Sequence, residues 1–361
     1  MIRYLAGMDI SIAVGGAAVG TKKDWPERAE YVRQADKIGV ASCWTAEAWG
    51  WDAVSPAAYL LAVTERMKIG TGIMQTSARA PSMTAMTAMT LADMSDNRFI
   101  LGLGASGPQV VEGLIGESFD RPLARLKEVT EICQLAFAGE KLVYDGHHYV
   151  LPRPGGQGKA LRLAMAANDI PIYLATLGPR SLTYTGEVAQ GWVGTSFVPE
   201  AGGALIDPIR AGAESAGRDP SSIDLMAGGN VAFANDPSEL IERHRDGVAF
   251  SVSAMGSPDT NFYKNAYERA GYEQDCAAIQ ALWLDGKRDA ARARVPDEMV
   301  TRTNLFGTDD MVKARIRAYR DSGITTLRAA PLGRTTAERL DVLGRLIDLV
   351  AEVDAEPASA R

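Results

Sequence analysis

Hydrophobic positions along this chain fall into two alternating patterns. Short, nearly continuous apolar runs recur at 8–14, 42–46, 68–74, 99–103, 172–175, 192–195, 224–231 and 324–329. Runs of that length, rich in Val, Ile, Leu, Met and Ala, predict strands buried on both faces. Between them lie longer amphipathic stretches that predict helices at 24–38, 55–64, 81–94, 122–137, 181–189, 201–216 and 335–353. Asp24 suits an N-cap, Pro26 a first helical turn and Gly39 a helix end. Strand–helix alternation over the whole length predicts a parallel sheet with right-handed crossovers. Eight such units favour a closed (β/α)8 (TIM) barrel over an open, doubly wound sheet.

Two segments break the rhythm. The first lies in the excursion of about 104–170, where KLVYDGHHYVL reads as a hairpin around Asp145-Gly146. The second, about 234–306, reads as mostly helical, with helices at 237–246, 259–269, 276–285 and 288–293. They stand as insertions after strands 4 and 7 of a single domain spanning 1–361. Such insertions extend the loops at the C-terminal face of a barrel, where sites form.

Composition narrows the function. The 361 residues are 46% hydrophobic and 23% charged, which excludes a disordered or collagenous chain. The net charge of −7, with no basic block, speaks against a nucleic-acid partner. Cys43, Cys133 and Cys276 are dispersed and odd in number, so no disulfide framework is expected. With no signal-peptide pattern and no long apolar span, a cytoplasmic protein with no membrane partner is expected. His147, His148 and His244 have no metal-ligand spacing, and no Ser-His or Cys-His pair is suggested. An enzyme on this barrel therefore calls for an organic cofactor.

Three loops carry candidate chemistry. After strand 4, GLGASG (Gly102 to Gly107) matches G-x-G-x-x-G. It follows three βα units rather than opening a domain, and Asp120 comes too early and in loop sequence for the acidic residue of a dinucleotide site. A backbone cradle for a ligand, a dinucleotide loop and a bare tight turn remain open. After strand 5, Leu177 to Ser181 reads LGPRS ahead of a helix. Gly178, Pro179, Arg180 and Ser181 could hold an anion at the helix N-terminus, or Ser181 could be a plain N-cap. After strand 2, Glu47 stands where a barrel places catalytic carboxylates. It is either a proton donor or a buried glutamate held by an arginine such as Arg79. Trp44, Trp49 and Trp51 read as packing.

Taken together, WTAEAWGWDA, IGTGIMQTSARAP, LADMSDNRFILGLGASGPQVVEG, RPLARLKE, YDGHHYVLP, LGPRSLTYTGEVAQGWV, MGSPDTNFYKNAYERAGY and GITTLRAAP resemble the coenzyme F420-dependent branch of the luciferase-like monooxygenase superfamily. The resemblance runs along nearly the whole chain. It implies a luciferase-like barrel, coenzyme F420 (with FMN as the alternative), a small-molecule substrate and a homodimer. It implies a cis bond at Gly72–Ile73, with Ile73 against the deazaflavin ring and Met74 and Gln75 at its edge. Ala105, Ser106 and Gly107 would close over the cofactor, and Gly178 and Pro179 would meet its phosphate. The branch's sugar-phosphate dehydrogenases carry an Asp-His pair where this chain has Glu47-Ala48, and a glutamate where it has Gly107. The implied reaction is hydride transfer between F420 and another small organic substrate, foremost a reduction by the reduced cofactor with Glu47 or a substrate-bound water supplying the proton. An FMN monooxygenase and a non-catalytic F420-binding protein are the alternatives.

Overall fold

A computed structural model describes residues 7–15, 25–257 and 260–356. The Asp24 cap and the start of the 259–269 helix fall outside the described residues. Eight parallel strands close a barrel: β1 (Asp9–Gly15), β2 (Ser42–Ala46), β3 (Lys68–Thr71), β4 (Phe99–Gly104), β5 (Ile172–Ala175), β6 (Gly191–Val193), β7 (Asp224–Ala227) and β8 (Thr326–Arg328). Closure is explicit in the pairing: β3 joins β4 through Ile69 and Phe99, and β8 joins β1 through Thr326 and Asp9. Each predicted strand is present. The third continues past an interruption as Met74–Gln75, which pairs with Leu103 and Gly104 of β4. The interruption is the cis bond Gly72–Ile73.

Glycines decide how the barrel fills. Trp44, Ile100, Tyr173, Val193 and Met226 form the interior cluster. A Cβ on Gly70 would lie 2.5 Å from the Trp44 ring, and one on Gly191 would lie 2.3 Å from the Tyr173 ring. Both large rings therefore depend on absent side chains at the paired positions of the neighbouring strands. Gly102 has no such room either: its Cβ would stand 1.7 Å from the Thr71 carbonyl oxygen. The Thr71 hydroxyl fills that gap, donating to the Gly102 carbonyl at 2.8 Å and accepting from its N–H at 2.9 Å. At the N-terminal end, buried Asp224 accepts from Tyr173, Thr325 and Thr326, and burial raises its pKa.

The two insertions are present, with differences. The hairpin pairs Tyr144 with Leu151 and Asp145 with Val150, so its turn is Gly146 to Tyr149 rather than a two-residue turn at Asp145-Gly146. The buried Glu128 carboxylate takes three successive turn amides, those of His147, His148 and Tyr149, which fixes the wider loop. The strand expected at 224–231 is two strands: after Ala227 the chain leaves the barrel at Gly228-Gly229. Asn230–Phe233 then forms a small parallel sheet with Leu305–Gly307 and Ala330–Pro331. The second insertion carries its own apolar cluster, including Val252, Tyr267, Cys276, Met299 and Phe306.

The sequence assigns no helix between that insertion and the eighth strand. The structure has one, Asp309–Ser322. Thr308 caps it, Asp309 and Asp310 occupy its first turn, and Gly323 ends it at φ 102°. Cys43, Cys133 and Cys276 are free and buried, and burial pushes each thiol up to about 12.

Gly102→Ala should destabilise the protein by about 1–3 kcal/mol or more, because Thr71 is backbone at that contact and cannot yield. Gly113→Ala, with nothing within 4 Å, is the control and should stay within about 0.5 kcal/mol. Denaturant melts of the two variants check this.

Candidate active site at the barrel mouth

The ends of strands two to five build one wall. Past β2, the Glu47 side chain is only 8% exposed and accepts four hydrogen bonds. Arg79 donates twice, to Oε1 at 2.6 Å and Oε2 at 2.9 Å. The amides of Gln75 (2.7 Å) and Ala53 (3.2 Å) supply the rest. The Glu47 amide in turn donates to the Ile73 carbonyl at 3.3 Å. Glu47 is thus the buried carboxylate held by Arg79 that the sequence left open, and it ties β2 to the end of the third strand.

Ile73 and Gly72 are half-buried at the mouth. A Cβ on Gly104 would meet Ile73 Cγ1 at 3.0 Å and Ala175 Cβ at 3.5 Å, so the third, fourth and fifth strand ends stand side by side. Met74 does not face the mouth. It is 0% exposed within the core under the helices, so the ring-edge position implied for it is not available to its side chain. Gln75 does stay beside Glu47, with its amide Nε2 3.4 Å from the Glu47 carbonyl.

Three successive polar atoms here are buried without a hydrogen-bond partner: Gln75 Oε1, Thr76 Oγ1 and Ser77 Oγ. Buried polar atoms are rarely left so, and a run of them marks a place where an outside group completes the bonding. Thr76 and Ser77 line a narrow crevice with Ala105, Val111 and Arg125. Ser77 also borders a cavity of about 310 Å³ with Arg79, Arg125, His148 and Tyr149. Thr76 and Ser77 were not singled out in the sequence; hydroxyls in an apolar strand end were their only signal.

The fourth loop, Ala105 to Gly107, is half-buried, with Ser106 in the left-handed region at φ 59°. Gly107 faces the Met255 carbonyl, and Gln109 donates to the Gly256 carbonyl at 3.1 Å, so this loop touches the second insertion. In the fifth loop, Gly178 rather than Ser181 is the N-cap of helix Pro179–Val188, and no side chain caps it. Ser181 sits in the first turn and donates back to the Gly178 carbonyl at 2.9 Å. Arg180 is exposed. The sequence missed a second cation here. Arg269, from the second insertion, donates to the Leu177 carbonyl at 2.6 Å, and its Nε is buried and unpartnered.

Of the three histidines, His148 lines the 310 Å³ cavity. His147 and His148 are in the hairpin turn, ring to ring at 4.8 Å, and both reach back to residues 120–121. His244 bonds its own helix at the Leu240 carbonyl. Among the described residues, no three His, Cys, Asp or Glu side chains gather as metal ligands.

Residues 8–326 match the model of the luciferase-like monooxygenase family. The chain belongs to that family. It is similar to a Mycobacterium tuberculosis protein provisionally named as a coenzyme F420-dependent oxidoreductase, at 34% identity over 89% of this chain and 94% of that one. It is 30% identical to the 5,10-methylenetetrahydromethanopterin reductase of Methanolobus tindarius, over 88% of this chain and 94% of the relative. Among solved structures, the coenzyme F420-dependent tetrahydromethanopterin reductase from Methanopyrus kandleri shares the fold. Its TM-score is 0.75 and its identity 23%, covering 94% of this chain and 97% of that one.

Replacing Glu47 by Gln, or Arg79 by Gln, should each cost about 1.5–3 kcal/mol by stranding the partner. The double variant should lose less than the sum, because neither charge is then left alone. A thermodynamic cycle from denaturant melts tests this coupling.

Proposed function

We propose that this chain is a coenzyme F420-dependent oxidoreductase that passes a hydride between C5 of the deazaflavin and a small organic substrate. The observation that carries this is the row of unpartnered buried atoms at Gln75, Thr76 and Ser77, set beside the half-buried Ile73 on a luciferase-family wall. A deazaflavin offers the ring N–H, carbonyl and hydroxyl groups that such a row lacks. When bound, it supplies a hydride donor or acceptor, and the protein supplies position. The curated relatives named for F420 chemistry support the same reading.

In this reading Ile73 presses on one face of the ring. Gly72 and Gln75 border it, and Ala105, Ser106 and Gly107 fold across it. The cofactor's phosphate meets the uncapped amides that follow Gly178 and Pro179, beside Arg180 and Ser181. Arg269, which reaches the same loop at Leu177, adds charge. Glu47, already committed to four donors, holds the wall rather than moving a proton. The second insertion and the fourth loop exclude water from the mouth. A cytoplasmic setting fits the dispersed free thiols, and no described helix is long and apolar enough to cross a membrane.

Fluorescence titration against F420, FMN and NADPH is the deciding experiment. Saturable binding of F420 alone is expected, with oxygen-insensitive turnover. FMN binding with oxygen uptake would select a monooxygenase instead, and F420 binding without turnover over a broad panel would select an accessory protein. Gly178→Glu should weaken F420 binding at least about tenfold by placing a carboxylate against the phosphate. A homodimer would cover Tyr59, Met83, Met86 and Met94, which are 43%, 51%, 43% and 68% exposed on two contacting helices. Sedimentation should give twice the 38.6 kDa chain mass, and Met83→Glu should shift it toward monomer.

A further inference from the structure

The eighth strand ends in Arg328, which nothing above uses. Register sets its direction. Asp9 pairs with Thr326 and Ser11 with Arg328, so these residues share the inner face, where the Ser11 hydroxyl meets Met226 Sδ at 3.2 Å. Leu327, between them, turns outward and is 0% exposed in the core under the helices. Arg328 is therefore directed into the barrel at its C-terminal end. The backbone is fixed there on both sides: the Ala329 amide donates to Ser11 at 2.7 Å, and a Cβ on Gly228 would lie 2.2 Å from the Arg328 carbonyl oxygen.

Among the described residues the Arg328 guanidinium makes no hydrogen bond and no ion pair. Among the described residues, the titratable groups that act on it are two phenols, Tyr263 and Tyr319, and no carboxylate is among them. Burial pulls its pKa below the ordinary arginine range. Tyr263 comes from helix Phe262–Tyr267 of the second insertion, and its hydroxyl also lacks a hydrogen-bond partner among the described residues. A half-buried cation whose donors meet no described partner is open to a ligand that carries the opposite charge. No described residue supplies that partner.

We propose that Arg328 is the anion anchor of the substrate pocket, that the substrate is a small organic carboxylate held by two N–H···O bonds from the guanidinium, and that the Tyr263 hydroxyl joins it on the same head group. This rests on the oxidoreductase reading and narrows its substrate class. The planar guanidinium fork matches a two-oxygen acceptor. One arginine with no second cation on it among the described residues balances a single negative charge, which suits a carboxylate better than a phosphate monoester of nearly two.

The test compares charged and neutral twins of one skeleton: crotonate against crotonamide and cinnamate against cinnamamide, with methyl phosphate as a third arm. Binding is read by thermal shift and isothermal titration on the full chain, in wild type, Arg328→Gln, Arg328→Lys and Tyr263→Phe. Wild type should bind each carboxylate at least tenfold tighter than its amide. Arg328→Gln should abolish that preference, Arg328→Lys should restore part of it, and Tyr263→Phe should reduce it a fewfold. The F420 dissociation constant should change less than twofold in all three variants. No preference for carboxylate in wild type, a preference kept in Arg328→Gln, or tighter binding of methyl phosphate would each overturn the proposal. So would a tenfold loss of F420 affinity in Arg328→Gln, which would place the arginine on the cofactor. If wild type binds carboxylates selectively but not F420, the cofactor reading falls and the anion anchor stands.

Discussion

The carboxylate of Glu47 is the tie on which the mouth of this barrel depends. Two strand ends approach there in a way that the sheet's own ladder does not provide. The Gly72 amide still donates to the Thr45 carbonyl, but from Met74 the third strand pairs with the fourth instead, and the Gln75 amide takes its acceptor from a side chain. Glu47 accepts from the Gln75 amide on one side and from Ala53 on the other, and Arg79 neutralises it with a paired donation. A carboxylate used in this way is stable only as a fully bonded anion, since removing any donor leaves an enclosed charge uncompensated. The same bonding explains how Ile73 can stand half-exposed on a rigid support.

Much of the architecture was legible because buried parallel strands write themselves as short apolar runs. All eight lie where the runs fall, and the closed ring follows from their number and alternation. The runs are silent on which face is which. Met74 and Ile73 are adjacent and equally apolar, yet one is sealed under the helices and the other meets the mouth. A run also hides a break: 224–231 is uniformly strand-like, but Gly228-Gly229 lets the chain change sheets because no side chain blocks the close approach of Arg328 and Thr303. Helix Asp309–Ser322 carried its own start and stop signals in Thr308 and Gly323, masked by the irregular spacing of the preceding insertion.

Site chemistry was less legible than the fold, and the reason is distance along the chain. Arg269 reaches Leu177 across 92 residues, and no local pattern announces that pairing. Glu47 and Arg79 are 32 positions apart, and the sequence could offer the pairing only as one of two readings. Thr76 and Ser77 look ordinary until their surroundings show that nothing satisfies them. The second insertion matters for the same reason: it meets the fourth loop at Gly256 and the fifth at Leu177, so two loops far apart in sequence share one roof.

The three enclosed thiols have a practical corollary. Each is 0% exposed and its burial raises the thiol pKa, while alkylating reagents need access and act on the ionised form. The native chain is therefore chemically quiet toward maleimides. A single cysteine placed on the roof would be the sole reactive position, so a fluorophore could report its movement without first stripping the protein of its own sulfhydryls.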